Sequence, residues 1–362
     1  MQKRPFKTTY APGPSQLSEP VRQDIKTAAD NGVAEISHRG AEFTAVSQKA
    51  VQGIREFFNL PEGYHVFFTS SATDVWTIAT HNLIEKAGFH FVNGNFSAGF
   101  PRTVEAFGKQ TYRDEAEWGE QNDFTVATVP PDADLISMCF NETSTGVMAS
   151  NDDLRALRAR YPEKTIAVDI TSIAGVYDLD IAQGDLWYFS VQKAMGLPAG
   201  LGVIIASPAA LQKATCLSKT QPVGYFSLPA MAAKMEGKYQ TIQTPNILNI
   251  YLLANQLERW LENGGVQVLE NQSRERANAI YGLFSDHPNA RPFVKDPARR
   301  SISSVCIQAD EATVANWHKK ARNQDLVLGA GYGKLKPTCI RLATFPGITD
   351  SQFDRLLNFF EE

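Results

Sequence analysis

The chain has 362 residues, which at roughly 100 to 200 residues per domain points to two domains, and its 43% hydrophobic and 20% charged content is that of a soluble globular protein. A net charge of −4 with the two signs interspersed gives no electrostatic footprint for nucleic acid or an anionic membrane. Cys139, Cys216, Cys306 and Cys339 lie far apart without CxxC spacing, no apolar run reaches signal-peptide or membrane-span length, and a cytoplasmic protein with reduced thiols and no metal site is expected.

After a Pro/Gly arm over residues 1–15, Ser18, Glu19 and Pro20 supply helix-start chemistry, and Val21, Ile25, Ala28 and Ala29 keep one apolar face up to Gly32. Phe43, Val46, Ala50, Ile54, Phe57 and Phe58 then repeat at helical spacing as far as Pro61. Apolar, β-rich runs follow at residues 65–69, 89–93, 135–140, 165–169, 186–190 and 201–206, with helical patterns between many of them, as at 74–87 and 152–160. Runs apolar throughout suit strands covered on both faces, so the economical reading is a mainly parallel, helix-flanked sheet in a large domain over residues 16–250. A helix over 246–263, stopped by Gly264 and Gly265, leads into a smaller α+β domain over 251–362, whose last helix opens on Thr349 and Gln352 at capping-box spacing.

The chemistry concentrates at two strand ends. The run KTIAVD ends in Asp169, and LWYFSVQK ends in Lys193 before a Gly/Pro-rich turn. Ligands of open α/β sheets bind at the carboxyl ends of strands. A carboxylate and an amine placed there can serve pyridoxal phosphate (PLP), the first keeping the ring nitrogen charged and the second bonding the aldehyde; a structural ion pair would use the same residues. Ser70, Ser71, Ala72 and Thr73, between a strand and a helix, could cradle a phosphate or form an ordinary helix cap. GAGYGK at 329–334 lacks the third glycine of a dinucleotide loop and the Ser/Thr of a P-loop, and reads as a substrate-facing turn. Ser190 and Lys193 match the SxxK of acyl hydrolases, without the SDN and KTG strings that accompany it. The six histidines show no paired metal spacing.

EISHRGAEF (35–43), CFNETSTG (139–146), AVDITS (167–172), SVQKAMGLPAG (190–200) and QTPNILNIYLL (243–253), in this order, resemble the class V PLP-dependent aminotransferases, and within them the phosphoserine aminotransferases. The resemblance covers most of the chain. It implies the type I aminotransferase fold, with a mainly parallel seven-stranded sheet and a smaller C-terminal α+β domain. It also implies that Lys193 bonds the cofactor as a Schiff base, Asp169 pairs with its ring nitrogen and Thr143 with its phenolic oxygen. Ser71, Ala72, Thr73 and Gln192 would take the phosphate, and Phe96 would stack on the ring where the family usually has tryptophan. Thr244 would reach the phosphate from the neighbouring subunit of a homodimer with a shared site, although Gln243 replaces the usual asparagine beside it. Arg341 would clamp the substrate α-carboxylate, and His38 and Arg39 the distal phosphate or carboxylate. Amino acids and 2-oxo acids are the implied substrates, with phosphoserine and 2-oxoglutarate favoured.

One departure bears on substrate. Phosphoserine aminotransferases carry a second His-Arg pair shortly before the position of Arg341, where this chain has GAGYGKLKPT and only Lys334 or Lys336 to compensate. That turn reads more like class V enzymes acting on serine, alanine or glyoxylate. A cysteine desulfurase is further off, since Gln192 stands where those enzymes usually have histidine and no exposed cysteine is expected in the strand-like runs of Cys306 and Cys339.

Overall fold

The computed structural model describes residues 7–221 and 223–361. Its centre is a seven-stranded sheet whose strands, in chain order, are β1 (His65–Thr69), β2 (Ala87–Val92), β3 (Gln110–Glu115), β4 (Ala133–Cys139), β5 (Thr165–Asp169), β6 (Leu186–Ser190) and β7 (Gly202–Ala206). Across the sheet they run β1-β7-β6-β5-β4-β2-β3, all neighbours parallel except that β7 is antiparallel to both β1 and β6. Residues of β6 and β7 are buried without exception, as continuous apolar runs between two helical layers must be. The edge strand β3 escapes a sequence reading because QTYRDE is polar and half exposed, and only the parallel ladder to β2 holds it extended.

Helix boundaries follow local chemistry. In α1 (Glu19–Asp30) Ser18 accepts from the Val21 N–H, and α2 (Ala41–Phe57) buries the Phe43, Ala50 and Ile54 face. The helix α3 (Ala72–Leu83) begins two residues before the expected start and stops at Leu83, ahead of β2. The linking helix α4 (Ile247–Glu262) packs along α1 and α2, so a domain boundary drawn at residue 250 falls in its first turn. Beyond α5 (Gly265–Leu283), strands β8 (Ala290–Pro292), β9 (Ser304–Ala309), β10 (Gly329–Ala330) and β11 (Cys339–Ala343) form an antiparallel sheet in the order β8-β9-β11-β10. The Thr349–Gln352 capping box opens the last helix, Asp350–Glu361.

The N-terminal arm is stitched across this second sheet. Thr8–Thr9 pairs in parallel with Leu326–Val327, and the Ala343 N–H donates to the Tyr10 carbonyl at 2.7 Å. Ser15 then donates its N–H to the Gln192 carbonyl at 2.8 Å, which brings the arm to the end of β6. Among the described residues no helix is long and apolar enough to cross a membrane, and no group of three or more His, Cys, Asp and Glu is placed to hold a metal.

Candidate active site

Parallel pairing of β5 with β6 sets Asp169 opposite Tyr188, so Asp169 and the turn after β6 emerge at the same carboxyl edge of the sheet. Lys193, in that turn, is buried, and its Nζ donates to Thr143 Oγ1 at 2.9 Å and lies 4.2 Å from the centroid of the Phe96 ring. Its aliphatic stem runs beside Gly13 of the arm, where a Cβ would come within 3.2 Å of the lysine Cγ. Asp169 Oδ1 accepts from the Thr171 N–H at 2.8 Å. Both side chains border one cavity, with Phe96, Thr143, Ser190 and Gln192 around it. Among the described residues no ion pair joins Asp169 to Lys193, so the spacing is not that of a structural salt bridge.

Burial disfavours the charged form of both groups, and neighbouring charges and hydrogen bonds oppose it. Burial lowers the Lys193 pKa, opposed by the charge of Asp169 and of nearby Glu142, because a buried ammonium loses its hydration. Burial raises the Asp169 pKa, opposed by the Thr171 hydrogen bonds and the charge of Lys193. An amine of lowered basicity is a better nucleophile at neutral pH, and a carboxylate in a desolvated wall holds a cationic partner strongly.

The loop carrying Phe96 hangs on a residue the sequence reading gave no role. Glu142 is fully buried, and its carboxylate accepts from the N–H groups of Phe96 (3.3 Å), Ser97 (2.8 Å) and Ser144 (3.1 Å) and from the Ser144 hydroxyl (2.6 Å). Glutamate is almost never fully buried without such partners. Two of its four donors, the Phe96 and Ser97 N–H groups, come from a loop some 45 residues away, so only the NET string around it hinted at a task.

At the start of α3 the cap is largely self-satisfied. The N–H groups of Ser70 and Ser71 donate to Asp74 Oδ2, the Asp74 N–H donates to Ser71 Oγ, and the Ala72 N–H donates to Ser190 Oγ at 2.7 Å. Thr73, exposed at the second helical position, has no hydrogen-bond partner for its N–H among the described residues, and it borders the cavity. The Ser190 hydroxyl is thus tied to a backbone amide and the lysine to Thr143, an arrangement unlike that of an SxxK nucleophile and base.

Arg341 projects from β11 toward the same region. Its Nε donates to the Ala330 carbonyl at 2.7 Å, its Nη1 to the Thr143 carbonyl at 3.1 Å, and its guanidinium carbon lies 5.2 Å from the Tyr332 ring centroid. Other expected site residues are not gathered here. Arg39 is exposed and donates to the carbonyls of Thr241 and Ile242, beside His38, and Thr244 is exposed a few residues further on. Lys334 Nζ lies 4.8 Å from the Trp118 ring centroid, and Lys336 is exposed. Cys306 and Cys339 are buried against Leu335. A cleft of about 710 Å³ between residues 118–125 and the C-terminal sheet contains neither Lys193 nor Asp169; the chemistry of the donor set, rather than size, identifies the site.

Comparison with known proteins shows the family and the fold. The class V aminotransferase family model matches residues 9–344. A phosphoserine aminotransferase of Corynebacterium glutamicum is 30% identical over 350 residues, covering 95% of this chain and 91% of that protein. The crystal structure of a phosphoserine aminotransferase from Cytophaga hutchinsonii superposes with a TM-score of 0.94 at 33% identity, covering 98% of each chain. An aspartate aminotransferase from Thermus thermophilus shares the fold, with a TM-score of 0.84 at 23% identity and 97% of each chain covered.

Proposed function

The chain belongs to the class V aminotransferases, and from that premise we propose that it exchanges the amino group of phosphoserine with 2-oxoglutarate, in the cytoplasm and as a homodimer with shared sites. It is a PLP-dependent transaminase of amino acids and 2-oxo acids. The observation that carries the site assignment is that Lys193 and Asp169 border one cavity without forming an ion pair.

The residues present fit the cofactor. A buried amine, a half-buried carboxylate bordering the same cavity, an aromatic face and an unpartnered backbone N–H at a helix start are the donor set that an aldehyde, a pyridine nitrogen, a flat ring and a phosphate require. When bound, PLP supplies an electron sink for the pair left at the substrate Cα and carries the amino group between two substrates.

Lys193 would hold the cofactor through Nζ and, once displaced by the incoming amine, move the proton at the substrate Cα, a task that its burial-lowered basicity suits. Thr143 aims Nζ through its hydroxyl. Asp169 would keep a proton on the pyridine nitrogen. Phe96 would cover one ring face and exclude water, while Thr73 and Gln192, with the Ser71–Ala72 turn, would hold the phosphate. Arg341 spends two of its five N–H donors on carbonyls and has others for an α-carboxylate. His38, Arg39 and Thr244 lie on the surface of their own chain, which suits service to the cavity of a second copy.

One observation favours a second reading. Lys334 sits over Trp118 and Lys336 is exposed, and neither borders the cavity of Lys193 and Asp169, which suits serine or alanine better than a dianionic phosphate. Single-turnover rates with phosphoserine, serine, alanine and glutamate, followed by cofactor absorbance, decide it. Phosphoserine faster than serine supports the first reading, and the reverse order the second.

A further inference from the structure

The turn over residues 329–336 is held rigidly. The Gly331 N–H donates to the Cys339 carbonyl at 2.8 Å, the Leu335 N–H donates to the Tyr332 carbonyl at 2.9 Å, and Leu335 is buried with Cys306 and Cys339. A Cβ on Gly331 would meet the Leu335 carbonyl oxygen at 2.0 Å, so the backbone is closed on itself as tightly as glycine allows. From this platform the Tyr332 side chain, 36% exposed, reaches back toward the central sheet.

There it meets two groups at once. Its ring centroid is 5.2 Å from the Arg341 guanidinium carbon and 5.1 Å from the Phe96 ring centroid, with the two rings inclined at 45°. Phe96 in turn lies under the Lys193 ammonium at 4.2 Å. Arg341, Tyr332, Phe96 and Lys193 therefore form one continuous stack from the C-terminal sheet to the reactive amine. The two carbonyl bonds of Arg341 hold one edge of its guanidinium, and the Tyr332 ring supports its face.

Resting on the transaminase reading, we infer that Tyr332 is a positioning residue. Its ring fixes the guanidinium plane of Arg341 for the α-carboxylate of amino acid and oxo acid alike, and braces Phe96 against the cofactor-bearing side of the cavity. The ring performs this task, not the hydroxyl, for which the structure gives no hydrogen-bond partner among the described residues.

The test uses the holoenzyme with Tyr332→Ala, Tyr332→Leu and Tyr332→Phe, each checked for a native melting transition. Loss of the aromatic face raises KM for the amino donor and for the oxo-acid acceptor together, by about tenfold, while kcat changes by less than about threefold. Tyr332→Phe restores both KM values to within about twofold of wild type, whereas Tyr332→Leu, which keeps bulk without the π face, does not. Unchanged KM values in Tyr332→Ala, a rise in one KM alone, or a Tyr332→Phe variant as impaired as Tyr332→Ala would each overturn the inference while leaving the transaminase reading intact. Wild-type protein that binds PLP yet turns over no amino acid overturns both.

Discussion

Lys193 and Thr143 are joined by a 2.9 Å hydrogen bond between groups from different strand ends, and the reactive amine makes that bond rather than an ion pair to Asp169. Exchange of Lys193 for Ala removes both the covalent anchor and the base. Transamination should fall by at least about 10²-fold, with cofactor absorbance lost or shifted after dialysis. Retention of more than about a tenth of wild-type turnover would place the base elsewhere.

The same burial makes stability depend on pH in cofactor-free protein. Between the lowered folded pKa of Lys193 and the ordinary lysine value, the unfolded chain holds the proton that the folded chain has released. Stability therefore rises as pH rises through that interval and falls as pH drops through it. Urea midpoints measured from neutral pH upward should climb less in Lys193→Met than in wild type, and equal slopes would refute the assignment.

Burial raises the Asp169 pKa, Thr171 holds its carboxylate, and a cationic partner would favour its charged form. Asp169→Ala leaves a pyridinium nitrogen without its counter-charge in a dry wall. Cofactor retention should weaken by about 10²-fold, the equivalent of about 3 kcal/mol, read by equilibrium dialysis of the holoenzyme.

Ser190 accepts the Ala72 N–H within the protein, and its removal orphans that donor. The Ser190→Ala protein should lose about 1–3 kcal/mol in urea unfolding yet keep measurable transaminase turnover. Abolished turnover with unaltered stability and cofactor content would instead favour a nucleophilic serine.

Arg39 and Lys193 provide a test of the shared site. An Arg39→Ala protein and a Lys193→Ala protein should each be nearly inactive, while a refolded equimolar mixture should regain about a quarter of wild-type activity, because one of the two sites in each mixed dimer is intact. No recovery on mixing would mean that Arg39 serves its own chain.

Much of this was legible in the residues. Strands ending in Asp169 and Ser190 announced themselves because both faces are covered and the apolar run is unbroken, and the Ser18 and Thr349 caps were written in local chemistry. The strand Gln110–Glu115 was hidden because its extended form comes from the ladder to Ala87–Val92, not from its own polar side chains. Glu142 and Tyr332 were hidden for a related reason. Phe96 and Ser97 lie some 45 residues from Glu142, and the Phe96 ring comes from a different sheet than Tyr332, so nothing local marks either residue.

The arm that touches the Lys193 stem has a bearing on how the enzyme comes into being. Thr8, Thr9 and Tyr10 are synthesised early, yet the backbone groups that seat them belong to Leu326, Val327 and Ala343, more than 300 residues later. Contacts so distant in sequence form only after most of the chain has been made and collapsed. The central sheet can thus be complete on a nascent polypeptide while the wall beside its lysine is still missing, and competence for catalysis is acquired at the end of folding rather than with the core.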